Sequence, residues 1–126
     1  MVRLLVVDED VWMCDFLWDF FTPKNYEVFT ALNKVMALNL VKEVKPQVVL
    51  LDLSMNSLGG IEILKAIRDI AADIGIVTIA HAEDALLARD SLRMGAFDCI
   101  TKPFDLDYLE GVVSVLTALR WPRIIP

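Results

Sequence analysis

"VVLLDLSMNSLGG", residues 48–60, runs four apolar residues into an aspartate, Asp52, and then falls into a loop that ends on Gly59-Gly60. An unbroken valine and leucine run without polar alternation is the pattern of a strand buried on both faces, as in a parallel sheet. Its last step nevertheless delivers a carboxylate.

Outward from this stretch the chain alternates between two kinds of segment. "RLLVV", "EVFTA", "VVLLD", "IGIVTIA" and "FDCIT" are β-branched apolar runs that predict strands. Between and after them, "DVWMCDFLWDFF", "NKVMALNLVKEV", "GGIEILKAIRDIAA", "DALLARDSLRMG" and "DLDYLEGVVSVLTAL" carry the three- and four-residue apolar recurrence of helices. In the third of these, Ile61, Leu64 and Ile67 to Arg68 form the packed face, with Glu62, Lys65 and Asp69 turned to solvent. Pro46, Gly75 and Gly95 each stand between a helix pattern and a strand, where breakers and left-handed caps belong. Five βα units in succession predict a five-stranded parallel sheet with five helices over both faces, a doubly wound α/β sandwich.

A chain of 126 residues, 56% hydrophobic and 24% charged, is one core-rich domain rather than a disordered segment. The net charge of -6 argues against nucleic acid and anionic membrane, which are recognised through clustered Lys and Arg. Cys14 and Cys99 have no metal-ligand spacing and read as free thiols in a reducing compartment. The amino terminus turns acidic too soon for a signal peptide, and no apolar run reaches membrane-spanning length. The expectation is a soluble, cytoplasmic protein.

In open parallel sheets the ligand site lies beyond the carboxyl ends of the strands, at the switch point of strand order. Strand one ends in Asp8-Glu9-Asp10, strand three in Asp52, and strand five runs into Thr101-Lys102-Pro103-Phe104. Carboxylates about 4 Å apart repel by roughly 4 kcal/mol at an effective dielectric near 20, so such a cluster favours proton uptake or a bound cation. Oxygen donors without histidine or cysteine select a hard ion, Mg²⁺ in a cell. A carboxylate placed there is also a competent nucleophile toward phosphorus, with Mg²⁺ and an ammonium group neutralising the developing charge. Asp52 is therefore placed to be phosphorylated. The plainer alternative, solvated acids in loops, suffices for "DED" alone but not for the acids in register with Asp52 and Lys102.

These residues resemble the receiver domain of two-component response regulators across residues 1–119, with 120–126 left as an apolar tail or the start of a linker. "LLVVDED" is similar to the family's acidic first strand, "LLDLSMNSLGGIEIL" to its phosphoacceptor strand and following helix, and "GAFDCITKPF" to its lysine-proline motif. The resemblance implies a flavodoxin-like sheet of order 2-1-3-4-5. It implies that Asp52 is the phosphoacceptor, that Lys102 pairs with the phosphate, and that Asp8, Glu9, Asp52 and the backbone carbonyl of Ser54 hold Mg²⁺. It further implies a cis Lys102-Pro103 bond, a sensor histidine kinase or phosphotransfer domain as donor, and a downstream protein or fused effector domain as target.

The departures bear on how such a domain would signal. Ala80 stands where the family usually has Thr or Ser, and Cys99 where it usually has an aromatic residue, so both halves of the usual switch are replaced. Thr78, two residues earlier on the same strand face, lies roughly 6.5 Å short and cannot stand in for the missing hydroxyl. His81 replaces a small residue and could supply a hydrogen bond, obstruct the pocket or do neither. Glu9 stands where Asp is commoner and Asn56 where proline is usual. Three functions follow: a phosphoacceptor with atypical switching, a phosphorylation-independent interaction module, and a Mg²⁺-dependent small-molecule phosphotransferase or phosphatase. The last is disfavoured by Ser54, where such enzymes carry a second acid two residues after the nucleophile.

The first helix holds two apolar stripes. Met13, Phe16, Leu17 and Phe20 suffice to pack on a sheet, and Val11, Cys14 and Trp18, with Trp12 nearby, form a second. The expectation is a wider core covered by "RWPRIIP"; the alternative is an exposed docking face for a phosphotransfer domain or for a second copy in a homodimer.

Overall fold

The computed structural model describes residues 1–55 and 59–122. Five strands, β1 (Val2–Val7), β2 (Tyr26–Ala31), β3 (Val48–Asp52), β4 (Gly75–His81) and β5 (Asp98–Lys102), form one parallel sheet in the order β2-β1-β3-β4-β5. The helices are α1 (Val11–Phe21), α2 (Lys34–Val44), α3 (Gly60–Ile70), α4 (Ala85–Arg93) and α5 (Leu106–Arg120). This is the expected doubly wound sheet, with β1 and β3 adjacent at the switch point.

Strand parity divides the core. Leu5, Val7, Val49 and Leu51 point to one face with Ala37 and Val41 of α2 and Ile63, Leu64 and Ile67 of α3. Leu4, Val6, Val48 and Leu50 point to the other with Cys14, Leu17 and Phe21 of α1 and Leu109, Val113 and Leu116 of α5. Continuing that alternation places Asp8, Asp52 and Lys102 on the α1/α5 face and Thr78 and Ala80 on the opposite one. Every residue of β3 is buried, which accounts for its unbroken apolar run.

Local chemistry sets the helix starts. Asp10 caps α1 through Trp12 N–H at 2.9 Å, Asn33 caps α2 through Met36 N–H at 2.9 Å, and Asp105 accepts from Asp107 N–H at 2.7 Å. Gly60 opens α3 hard against the end of β3: a Cβ there would lie 2.5 Å from Leu53 Cα and 2.7 Å from the Asp52 carbonyl oxygen.

Pro46 follows the end of α2 as the expected breaker, and the residue before it, Lys45, takes the left-handed cap position with φ of 50°. Two expectations need correction. Gly95 does adopt φ of 98°, but Gly75 opens β4 instead of capping, its Cα packed on Leu116. The inward face of α1 is Cys14, Leu17 and Phe21; Phe16 is exposed, as are Val11, Trp12 and Trp18. The sheet selects a stripe between the two read from sequence, so most of the second stripe is not core. Of the tail, residues 123–126 lie outside the described residues, as does Asn56. Trp121 packs against the α1/α5 side of the core. Among the described residues no helix is long and apolar enough to cross a membrane.

Candidate functional site

The site forms where β1, β3 and β5 end. Asp52 is the last residue of β3 and is buried at 5% exposure. Its Oδ2 accepts from Lys102 Nζ at 3.2 Å, and its Oδ1 accepts from Ser54 N–H at 2.9 Å. The lysine is the last residue of β5, two strands away, and the bond following it, Lys102-Pro103, is cis.

Asp8 follows β1 and is 3% exposed. Its Oδ1 accepts from Asp10 N–H at 2.9 Å, and its backbone N–H donates to the Ala31 carbonyl at 3.0 Å. Burial is the main force on its carboxyl, pushing it up to about 6; the Asp10 N–H pulls the other way, and neighbouring Asp52 adds to the rise. Behind it Cys14 Sγ donates to the Asp8 carbonyl at 3.3 Å, and burial raises that thiol to about 11, the signature of an inert packing cysteine.

Of the acids read from sequence, Asp8 and Asp52 thus meet, whereas Asp10 turns away to cap α1 and Glu9 lies partly exposed in the turn between them. Among the described residues no group of three or more His, Cys, Asp or Glu side chains gathers to hold a metal. The surroundings still fit a hard cation. Two adjoining buried carboxylates face one ammonium, and Mg²⁺ characteristically takes one or two carboxylates and completes its shell with water and phosphate oxygens.

The β4 side is built differently. Ala80 is 1% exposed and belongs to the core. Thr78 bonds away from the site, its hydroxyl 2.9 Å from that of Ser91 on α4. Cys99 is partly buried beside the same core cluster and pairs with Thr78 in the strand register. His81 ends β4 with an exposed side chain. With Met13, Phe16, Lys102, Pro103 and Phe104 it lines an open cleft of about 380 Å³ beside the lysine.

One contact at the site escaped the sequence. The Ser54 hydroxyl donates to Asp84 Oδ2 at 2.7 Å and accepts from His81 N–H at 3.3 Å, tying the loop after β3 to the segment after β4. Partners 30 residues apart leave no local pattern to find.

Comparison with known proteins agrees with this fold. The family model for the response regulator receiver domain matches residues 4–114. Sporulation initiation phosphotransferase F of Bacillus subtilis is 30% identical over 118 residues, covering 94% of this chain and 95% of that protein. The regulatory protein AtoC of Escherichia coli is 34% identical over 112 residues, covering 89% of this chain but 24% of that longer protein. Among solved structures, the receiver domain of NtrX from Brucella abortus superposes with a TM-score of 0.85 at 29% identity, covering 90% of this chain and 96% of that one.

Proposed function

The chain belongs to the response regulator receiver family of two-component signalling, and we propose that its Asp52 accepts a phosphoryl group from a phosphohistidine on a sensor histidine kinase or phosphotransfer domain. The observation that carries this reading is the contact of Asp52 with Lys102 at 3.2 Å beside the buried Asp8. A carboxylate oxygen of Asp52 attacks phosphorus, the phosphorus–nitrogen bond breaks with its electron pair returning to the donor imidazole, and an aspartyl phosphate results. Lys102 stands within reach of the equatorial oxygens and offsets their charge, and burial strengthens that pairing. Ser54 N–H holds the acceptor carboxylate in orientation. Asp8, Glu9, Asp52 and the Ser54 carbonyl would hold Mg²⁺, which when bound keeps the carboxylates ionised and neutralises phosphoryl oxygens. The phosphodonor approaches over the cleft formed by Met13, Phe16 and Phe104.

We take residues 1–119 as the receiver and the segment from 120 onward as tail or linker, with a downstream protein or a fused effector as the target and the cytoplasm, where the phosphodonor and Mg²⁺ reside, as its place. A second reading, a phosphorylation-independent interaction module, is favoured by one observation: Ala80 and Cys99 provide neither the hydroxyl nor the aromatic ring of the usual switch. Intact-mass spectrometry after incubation with Mg²⁺ and acetyl phosphate separates the two. A phosphoryl mass gain in the native chain but not in Asp52→Asn is the expected result; no gain either from acetyl phosphate or from a phosphorylated histidine kinase would leave the interaction module.

A further inference from the structure

We propose that the Ser54 hydroxyl and the Asp84 carboxylate form the coupling pair that transmits the charge state of Asp52 to the start of α4, in place of the hydroxyl absent at Ala80. The inference rests on the phosphoacceptor reading above and supplies it with a response.

Ser54 touches both ends of the proposed path. Its N–H donates to Asp52 Oδ1 at 2.9 Å, and its hydroxyl donates to Asp84 Oδ2 at 2.7 Å. Asp84 closes a 3-10 turn, Ala82–Asp84, that runs into α4, and it occupies the N-cap position of that helix, from which aspartate ordinarily accepts from N–H groups of the first turn. Here it makes no capping hydrogen bond, and the first turn of α4 contains no acidic residue. The other aspartate and asparagine caps, Asp10, Asn33 and Asp105, all bond to their own helices. The carboxylate best placed to cap α4 is thus diverted to Ser54.

A serine hydroxyl has one proton to donate. A phosphoryl group on Asp52 brings about −1.5 to −2 of charge and three strong acceptor oxygens next to that proton. Once the hydroxyl turns to a phosphoryl oxygen, Asp84 loses its donor and is repelled by the new charge. Its nearest compensation is the N–H groups at the start of α4, none of which its side chain bonds in this state and which also favour an anion through the helix dipole. Asp84 therefore has two alternative partners, and the charge at Asp52 selects between them. Thr78 does not compete for this role, because its hydroxyl is engaged with Ser91 on the far face of β4.

Amide hydrogen exchange of residues 82–90 on the full chain, with phosphorylation scored by intact mass, tests the pair. In the native chain, phosphorylation should slow exchange of the first-turn amides of α4 about five-fold, the size of one gained cap. Ser54→Ala should show that slowing without phosphate, because Asp84 is already released, and Asp84→Ala should show it in neither state. Unphosphorylated Ser54→Ala exchanging like the native chain would overturn the clasp, and a phosphorylated native chain with unchanged α4 would overturn the coupling. A native chain that gains no phosphoryl mass would overturn the coupling through its phosphoacceptor basis. The unphosphorylated Ser54→Ala result would still report the clasp, so the two failures are distinguishable.

Discussion

The carboxyl ends of β1, β3 and β5 and the carboxyl end of β4 lie side by side in one sheet but were assembled under different rules. At the first, Asp8, Asp52 and Lys102 stand on one strand face, and the lysine reaches the aspartate at 3.2 Å. At the second, Ala80 is sealed in the core, Thr78 bonds to Ser91, and the polar link runs instead from Ser54 to Asp84. Accepting a phosphoryl group needs charges converging on one point, which strand ends supply directly. Responding to it needs only some group that can exchange partners, and many positions around the site can provide one. The first arrangement is tightly constrained and the second is replaceable.

The largest expected effect tests the acceptor end. Asp52→Asn should abolish the mass gain from acetyl phosphate entirely. Lys102→Ala should slow it by about 10²-fold or more, the usual cost of removing one donor aimed at developing charge. Equal loss on replacing His81 with Ala would place essential chemistry on the β4 side and undo the distinction.

Next in size is Gly60→Ala. Its methyl group would collide with backbone atoms of Leu53 and Asp52, which cannot rotate away. We expect a loss of about 1–3 kcal/mol in urea unfolding, together with slower phosphorylation, because relief of the clash displaces the residue that carries the acceptor.

Asp8→Asn changes the pH dependence. The Asp8 carboxyl, raised in the folded chain to about 6 from 3.8, binds its proton more tightly folded than unfolded. Its ionisation therefore costs stability above about pH 6, and stability is recovered as pH falls toward 4. Without Mg²⁺, Asp8→Asn should gain on the order of 2 kcal/mol at pH 7, and little at pH 4, by urea titration at both values. Added Mg²⁺ should stabilise the native chain more at pH 7 than at pH 5 and should lose most of that effect in the variant.

The same contrast explains what was legible in the sequence. The β3 run ending in Asp52 and the acids after β1 are local patterns, and strand alternation turns them into a shared face, so the sheet and the meeting of Asp8, Asp52 and Lys102 could be read directly. The inward stripe of α1 could not. Phe16 and Cys14 sit on adjacent faces of one helix, both apolar, and only docking on the sheet decides that Cys14 goes in and Phe16 stays out. Ser54 with Asp84 and Thr78 with Ser91 pair residues distant in sequence, and a hydroxyl carries no pattern that announces its partner.

The smallest expected effect concerns that second pair. The Ser91 hydroxyl donates to the Ala88 carbonyl at 2.8 Å, which leaves Thr78 to donate to Ser91. The two substitutions are therefore unequal. Thr78→Val removes the donor and leaves Ser91 lacking only an acceptor contact, a loss of about 0.5–1 kcal/mol. Ser91→Ala removes the acceptor and leaves the fully buried Thr78 hydroxyl with the Asp98 carbonyl at 3.4 Å, a poor partner, at a cost of about 1–2 kcal/mol. Urea unfolding should rank them in that order, with the mass gain from acetyl phosphate unaltered in both. A changed phosphorylation rate in Thr78→Val would mean that the bridge from β4 to α4 senses Asp52 after all. The response would then run through the interior of β4, with Ser54 and Asp84 as bystanders.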